Sequence, residues 1–235
     1  IAVVGKYIEL QDAYKSIYES LTIAGAAHHA EVTIVKIDSE TIETADPSVI
    51  IGDVDGILIP GGFGDRGIEG KILAAQYART TGIPYLGICL GMQVATVEFA
   101  RNVCNLEGAH TTECNKKTPH PVISLQEEQK GIKDMGATMR LGSCDSLVHP
   151  GTLAANLYGG EQLIKERHRH RYEFNPAYLD QLSEAGLIIS SVSAEEGLVE
   201  IIELADHPFY IGAQFHPEFQ SKPNRPHPLF SGFIE

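Results

Sequence analysis

The stretch YLGICLGMQ, residues 85–93, joins an apolar strand-like run to a helix-like run at a single residue, Cys89. Gly87 and Gly91 lie two positions before and after that cysteine. A strand and a helix that meet at a nucleophile flanked by glycines form the nucleophile elbow of α/β enzymes. A sulfur atom at the start of a helix lies near unsatisfied N–H groups and the positive end of the helix dipole, which favour the thiolate. The stretch therefore predicts an α/β fold with Cys89 as a reactive thiol.

A buried, unreactive side chain is the alternative interpretation of Cys89, and it is the commonest role of a lone cysteine. The pattern Gly-x-Cys-x-Gly by itself does not exclude it. Two further segments favour the reactive thiol, because each follows a predicted strand and supplies a group that thiol chemistry requires. In open α/β sheets, sites form at the C-terminal ends of strands.

The first of these segments is FYIGAQFHPE, residues 209–218, in which an apolar strand ends at His216 and Glu218 follows across a proline. In an extended backbone, side chains two positions apart point to the same side. Glu218 is therefore expected to bind one imidazole nitrogen and leave the other for the thiol. Nucleophile, base and orienting carboxylate are the parts of a catalytic triad. Taken alone, His-Pro-Glu at a strand end is more often a turn with a capping acid.

The second segment is IPGGFG, residues 59–64, a glycine-rich loop after a predicted strand. Glycines allow backbone N–H groups to turn toward a developing negative oxygen, as an oxyanion hole requires. We expect the N–H groups of Gly62 and Leu90 to form that hole. An ordinary glycine turn and a phosphate-binding loop are the alternatives. We expect no nucleotide site here, because we recognise neither a G-x-G-x-x-G fingerprint nor the Gly-Lys-Ser/Thr ending of a P-loop.

The two halves of the chain differ in their predicted elements. In the first half strands alternate with helices, which indicates a parallel sheet with helices on both faces. In the second half strand-like runs follow one another, so antiparallel additions and a mixed, largely parallel sheet are expected, in one domain over residues 1–235. The predicted strands are 1–5, 32–37, 56–60, 85–88, 122–125, 137–141, 163–172, 187–192, 198–204 and 209–215. The predicted helices are 11–29, 68–79 and 90–101, and 143–151 is expected to be a loop.

Charge and composition restrict the partners of the chain. With 18 Lys and Arg against 31 Asp and Glu, the formal net charge is -13, which argues against nucleic acid and anionic membranes. No apolar run is long enough to cross a bilayer and no secretory leader is found, so a cytoplasmic location is expected. The four cysteines form no C-x-x-C pair and no H-E-x-x-H occurs, so no metal site is expected. The chain lacks an initiator Met, so we expect it to be part of a longer protein.

With these motifs, the chain resembles the class I (triad) glutamine amidotransferases, in which Gly-x-Cys-x-Gly and a distant His-Pro-Glu occur together. The segments 167–175 (RHRHRYEFN), 138–142 (TMRLG) and 5–7 (GKY) look like the glutaminase domains of the CTP synthases. The resemblance implies hydrolysis of L-glutamine to glutamate and ammonia through a Cys89 thioester. The ammonia would then feed the amination of UTP to CTP.

The same resemblance implies further residues and partners. It places the glutamine-binding groups at Gly62, Leu90, Gln93, Glu113 and Arg171. Glu113 suits the ammonium of free glutamine, and Arg171 suits its carboxylate.

A GTP-sensing lid is implied at Arg140, Leu141 and Gly142. The resemblance also implies an N-terminal synthetase domain, absent from these 235 residues, and a homo-oligomeric full enzyme. ATP, UTP, Mg²⁺ and the effector GTP belong to that full enzyme, whereas the glutaminase reaction requires no cofactor.

Two other functions remain open at this point. A stand-alone cysteine γ-glutamyl hydrolase on the same fold would be active without a partner and would accept peptides. A catalytically silent regulatory module would use the fold for binding only. The presence of Cys89, His216 and Glu218 together counts against the silent module, because it requires none of them.

Overall fold

Strands alternate with helices through residue 102, and strands predominate after it. The computed structural model describes residues 1–8, 10–125 and 139–235. The strands are β1 (Ala2–Gly5), β2 (Val35–Asp38), β3 (Ile57–Ile59), β4 (Tyr85–Ile88), β5 (His110–Thr111), β6 (Pro121–Leu125), β7 (Arg140–Val148), β8 (Leu163–His170), β9 (Tyr172–Phe174), β10 (Leu187–Ser193), β11 (Val199–Leu204) and β12 (Tyr210–Ala213). The α-helices are α1 (Lys15–Ala27), α2 (Ser39–Ile42), α3 (Pro47–Ile51), α4 (Ile68–Thr81), α5 (Leu90–Asn102), α6 (Leu153–Leu157), α7 (Leu179–Glu184) and α8 (Pro228–Ile234).

The described strands form two sheets. The larger has the order β2-β1-β3-β4-β12-β11-β10-β7-β8, and the smaller has the order β5-β6-β9. In the larger sheet, the pairs from β2 to β12 are parallel, and the pairs from β12 to β8 are antiparallel. The predicted α/β fold, with a parallel first half and antiparallel additions, is confirmed.

The parallel half of the large sheet is buried on both faces. In β3, Ile57 and Ile59 belong to one apolar cluster and Leu58 belongs to the cluster on the opposite face. This alternation follows from the two-residue period of a strand, and burial on both faces is typical of strands covered by helices. Each such aliphatic side chain contributes roughly 1.5–3 kcal/mol through its burial. The core therefore holds rigidly the strand ends that carry the site.

Helix α5 lies between the two sheets and contacts β4 and β12 on one side and β5, β6 and β9 on the other. Its residues from Leu90 to Ala100 are all buried, as expected for a helix without a solvent-facing side. The start of α5 is therefore fixed relative to the ends of β4 and β12.

Several predicted boundaries differ from the structure. The predicted helix 11–29 begins as a 3₁₀ turn, Gln11–Tyr14, before α1. The expected loop 143–151 is wrong for its first six residues, because β7 continues to Val148 in a regular antiparallel ladder with β8. β7 lies between β10 and β8, and its side chains before Val148 are polar or not fully buried, so no apolar period marks it. Of the predicted strand 137–141, Ala137 and Thr138 lie outside the described residues.

No helix within the described ranges combines the length and the apolar character needed to cross a bilayer.

Candidate active site

The elbow between β4 and α5 has a strained backbone at its centre. Cys89 has φ 54° and ψ -101°, a conformation that costs a non-glycine residue roughly 1–3 kcal/mol. The flanking glycines permit it: a Cβ atom on Gly87 would lie 2.6 Å from the carbonyl carbon of Gly91, and one on Gly91 would overlap the carbonyl oxygen of Ile59. The Cys89 N–H donates to the Ala213 carbonyl at 2.7 Å, which ties the elbow to β12.

His216 and Glu218 lie at the end of β12. Nδ1 of His216 is 2.8 Å from Oε1 of Glu218, and both residues line a cavity of about 300 Å³ together with Cys89. The two side chains meet because Pro217–Phe219 forms a 3₁₀ turn. The expected contact is thus present, but the extended backbone from which we inferred it is wrong.

The second imidazole nitrogen of His216, Nε2, is buried and has no hydrogen-bond partner among the residues that the structure describes. Burial alone would lower the pKa of His216. The negative charge of an ionised Cys89, followed by the hydrogen bond and charge of Glu218, outweighs burial and raises this pKa to about 10. The imidazole is therefore protonated at neutral pH.

The glycine loop after β3 forms one wall of the cavity. A Cβ atom on Gly61 would lie 2.8 Å from Cε1 of His216, whereas one on Gly62 would lie 3.6 Å from Cδ2 of Leu90. Gly62 and Leu90 are thus neighbours, and the N–H of Leu90 belongs to the first turn of α5, which has no intrahelical acceptor. The arrangement brings together the two residues predicted to form an oxyanion hole.

The same loop bears on the phosphate-binding alternative. Residues 62–67 have the spacing G-x-G-x-x-G, which sequence analysis overlooked and which occurs in dinucleotide sites. Here the Gly64 N–H donates to Oε1 of Glu113 at 2.7 Å. A phosphate at this loop would face that carboxylate, so the structure disfavours it.

The expected glutamine-binding side chains come from three elements around the elbow. Glu113 is held against the glycine loop by the bond from Gly64. Gln93, on α5, is buried and its Nε2 donates to the Tyr172 carbonyl at 3.1 Å. Arg171 precedes that tyrosine, and its Nε is buried without a hydrogen-bond partner in the described ranges.

The pKa of Tyr172 depends on the charges of two of these side chains, Glu113 and Arg171. Its pKa is raised by burial first and next by the negative charge of Glu113, while the positive charge of Arg171 opposes the increase. The phenol is therefore close enough to both groups to experience their charges. Neither Glu113 nor Arg171 lines the cavity that holds Cys89, but an acid and a base near one phenol form a pair that suits the two charged groups of an α-amino acid.

The residues Arg140, Leu141 and Gly142 form the start of β7. Nη2 of Arg140 lies 2.5 Å from Glu200 and Nη1 lies 3.7 Å from Glu173, both carboxylates being buried. Burial raises the pKa of Glu173 to about 8 and that of Glu200 to about 7. Leu141 is 69% exposed. The guanidinium is thus directed into the protein and Leu141 toward solvent.

The remaining thiols differ from Cys89 in position and environment. Cys104, Cys114 and Cys144 are partly buried and unpaired in the described part of the chain. Burial, with the nearby charges of Glu113 and Asp65, raises the pKa of Cys114 to about 12. Among the described residues, no group of three or more His, Cys, Asp or Glu side chains has an arrangement that could hold a metal ion.

Sequence analysis missed one residue at the site, Gln214. It is fully buried on the segment that leads to His216, and its Nε2 lies 3.7 Å from Sγ of Cys89. Its position two residues before the histidine was the available signal, because side chains two apart along a strand share a face.

Comparison with known proteins agrees with this geometry. The family model for "Glutamine amidotransferase class-I" matches residues 9–235. A CTP synthase from Moorella thermoacetica is 59% identical over the whole chain, which spans 43% of that protein's length. A CTPS glutaminase domain from Trypanosoma brucei, solved with bound acivicin, superposes with a TM-score of 0.92 at 39% identity, covering 99% of this chain and 91% of that one. A glutamine amido transferase from Methylobacillus flagellatus shares the fold, with a TM-score of 0.58 at 14% identity over 94% of this chain and 71% of that one.

Proposed function

The chain belongs to the class I glutamine amidotransferase family, among the CTP synthase glutaminase domains, and on this premise we propose that it hydrolyses L-glutamine to glutamate and ammonia through a thioester on Cys89. One observation carries the proposal: Cys89, His216 and Glu218 line a single cavity beside a strained elbow. A nucleophile, a base and an orienting carboxylate converge there as acyl transfer requires.

In the first half of the reaction, the Cys89 thiolate attacks the δ-carbonyl carbon of glutamine. The N–H groups of Gly62 and Leu90 stabilise the resulting oxyanion. Nε2 of His216 gives its proton to the departing nitrogen, so ammonia leaves and a γ-glutamyl thioester remains. The raised pKa of His216 ensures that this proton is present at neutral pH.

In the second half, Nε2 of His216 removes a proton from a water molecule that attacks the thioester carbonyl. The carbon–sulfur bond breaks, glutamate is released and the thiolate–imidazolium pair is restored. Glu218, through its bond to Nδ1, keeps the imidazole in one orientation and stabilises its positive charge.

Selection of free glutamine is assigned to Glu113 for the α-ammonium and Arg171 for the α-carboxylate, with Gln93, Gly62 and Leu90 completing the pocket. A buried N–H group of a guanidinium that lacks an acceptor favours binding of a carboxylate, because leaving the N–H unpaired is costly. The partnerless Nε of Arg171 supports this assignment.

The longer protein is the second level of the proposal. Its CTP synthase relatives are more than twice as long as this chain. We propose that residues 1–235 form one glutaminase domain whose ammonia aminates UTP in an N-terminal synthetase domain of the same cytoplasmic, homo-oligomeric polypeptide. ATP and Mg²⁺ would act in that domain. GTP would act as an effector sensed through Arg140, Leu141 and Gly142.

The decisive experiment measures ammonia release from L-glutamine by the chain and by the full-length enzyme. Cys89→Ala should abolish glutamine-dependent ammonia release and CTP synthesis, while CTP synthesis from added ammonia continues. Loss of both activities would mean that Cys89 has a structural role. Efficient hydrolysis of γ-glutamyl peptides by the isolated chain would favour a stand-alone γ-glutamyl hydrolase instead.

A further inference from the structure

Two side-chain amides connect the thiol of Cys89 to the backbone of β9. Nε2 of Gln93 donates to the Tyr172 carbonyl at 3.1 Å and to Oε1 of Gln214 at 3.2 Å. Nε2 of Gln214 in turn lies 3.7 Å from Sγ of Cys89, within the range of hydrogen bonds to sulfur. Gln93 and Gln214 are both buried, at 3% and 0% exposure. We refer to these two side chains as the amide relay.

The direction of the amide relay follows from its first acceptor. A backbone carbonyl only accepts hydrogen bonds, so Gln93 must present its NH₂ group to Tyr172. The second hydrogen of that NH₂ group requires an acceptor, which is the oxygen of Gln214. Gln214 therefore presents its own NH₂ group to the sulfur, and the assignment of nitrogen and oxygen in both amides is fixed by the network.

We propose that Gln214 is a positioning residue that donates a hydrogen bond to the Cys89 thiolate and holds it in the attacking orientation. The inference rests on the proposed function and adds a residue to it. His216 pairs with the thiolate as an acid, whereas Gln214 supplies a neutral donor that stabilises negative charge on sulfur without taking part in proton transfer. A donor aimed at an anion favours the ionised form.

The amide relay also links the thiol to the backbone of the proposed substrate pocket. The Tyr172 carbonyl that anchors Gln93 follows Arg171, to which we assign the carboxylate of glutamine. The backbone N–H of Gln214 donates to the Glu200 carbonyl at 2.8 Å, so the residue is fixed to the neighbouring β11. The donor is thus rigidly placed before the substrate arrives, and such preorganisation is the most effective use of a dipole in a site.

The test is the pH dependence of Cys89 alkylation by iodoacetamide, followed by peptide mass mapping. Gln214→Met retains length and apolar bulk but lacks the donor, and Gln214→Glu places a carboxylate oxygen beside the sulfur. We expect the midpoint of alkylation to move to higher pH in Gln214→Met and further in Gln214→Glu. Because hydrogen bonds to charged groups change equilibria roughly 10- to 100-fold, kcat/KM for glutamine should fall by about that factor in Gln214→Met.

Gln220→Met is the matched control. Gln220 also uses its side-chain amide as a donor, to the Lys165 carbonyl and to Glu166, but it does not contact the thiol. Its alkylation profile should equal that of the unaltered chain. A profile shifted equally in Gln220→Met and Gln214→Met would overturn the inference, because the effect would then be one of general stability.

Gln93→Met tests the relay as a unit. Gln93 acts on the sulfur only through Gln214, so the double variant Gln93→Met/Gln214→Met should show the alkylation midpoint of Gln214→Met alone. Additive shifts would contradict the relay. If Cys89→Ala abolishes hydrolysis but Gln214→Met and Gln214→Glu both keep the original alkylation profile, the proposed function stands and the role of Gln214 is refuted.

Discussion

Gly61 and His216 approach so closely that a Cβ atom on the glycine would lie 2.8 Å from Cε1 of the imidazole. Gly61→Ala should therefore displace His216 and reduce kcat, by about 10²-fold for a displacement near 1 Å. The kcat of Gly61→Ala for ammonia release checks this prediction, and a kcat equal to that of the unaltered chain would contradict it.

Replacing Glu218 by Gln should reduce hydrolysis less than replacing Cys89 does. The carboxylate only orients and stabilises His216, whereas the thiol forms the covalent bond. In triad enzymes, loss of the orienting acid typically reduces kcat roughly 10⁴-fold and loss of the nucleophile roughly 10⁶-fold. Steady-state rates of ammonia release for Glu218→Gln and Cys89→Ala provide the comparison. Equal losses would assign the carboxylate a different role.

Arg171→Ala should chiefly weaken the binding of glutamine. An ion pair with the substrate carboxylate contributes to the ground state and the transition state alike, so KM rises while kcat changes little. A rise of about 10- to 100-fold is expected for one charged hydrogen-bonding partner. Arg225→Ala, which removes an exposed arginine outside the cavity, is the control. Unchanged glutamine affinity in Arg171→Ala would refute the assignment.

The pKa of His216 should fall when Cys89 is replaced by Ala. Burial lowers this pKa, but the negative charges of Cys89 and then Glu218 raise it from the ordinary 6.5 to about 10. The protonated ring therefore stabilises the folded state fully below pH 6.5, and this contribution is lost as the pH rises through about 10. Imidazole NMR titrations of the two proteins give the midpoints. The same midpoint in both would show that the thiolate does not contact His216.

Local sequence patterns predicted the elbow because its geometry is local. Gly-x-Cys-x-Gly places two glycines where any Cβ atom would collide with neighbouring backbone. The turn can therefore be predicted from the residue types in this short segment. The contact between His216 and Glu218 was also expected, although a 3₁₀ turn produces it.

Contacts between residues far apart in the sequence could not be predicted in this way. The ion pair of Arg140 with Glu200 joins strands that are sixty residues apart, and the amide relay joins α5, β9 and the segment after β12. Each partner alone resembles an ordinary polar residue, and only the folded sheet brings them together. The extent of β7 was missed for a related reason, because its residues are mostly polar and show no alternating apolar pattern.

The central claim is that Cys89 is the nucleophile of a pocket that recognises glutamine, and covalent labelling tests it most directly. A glutamine analogue with an electrophile in place of the δ-amide should modify Cys89 and spare Cys104, Cys114 and Cys144. Only Cys89 lies at a helix N-terminus beside His216, whereas burial raises the pKa of both Cys104 and Cys114. Peptide mass mapping with and without excess L-glutamine decides the matter. We predict one labelled site that glutamine protects; labelling spread over several cysteines, or insensitive to glutamine, would contradict the account.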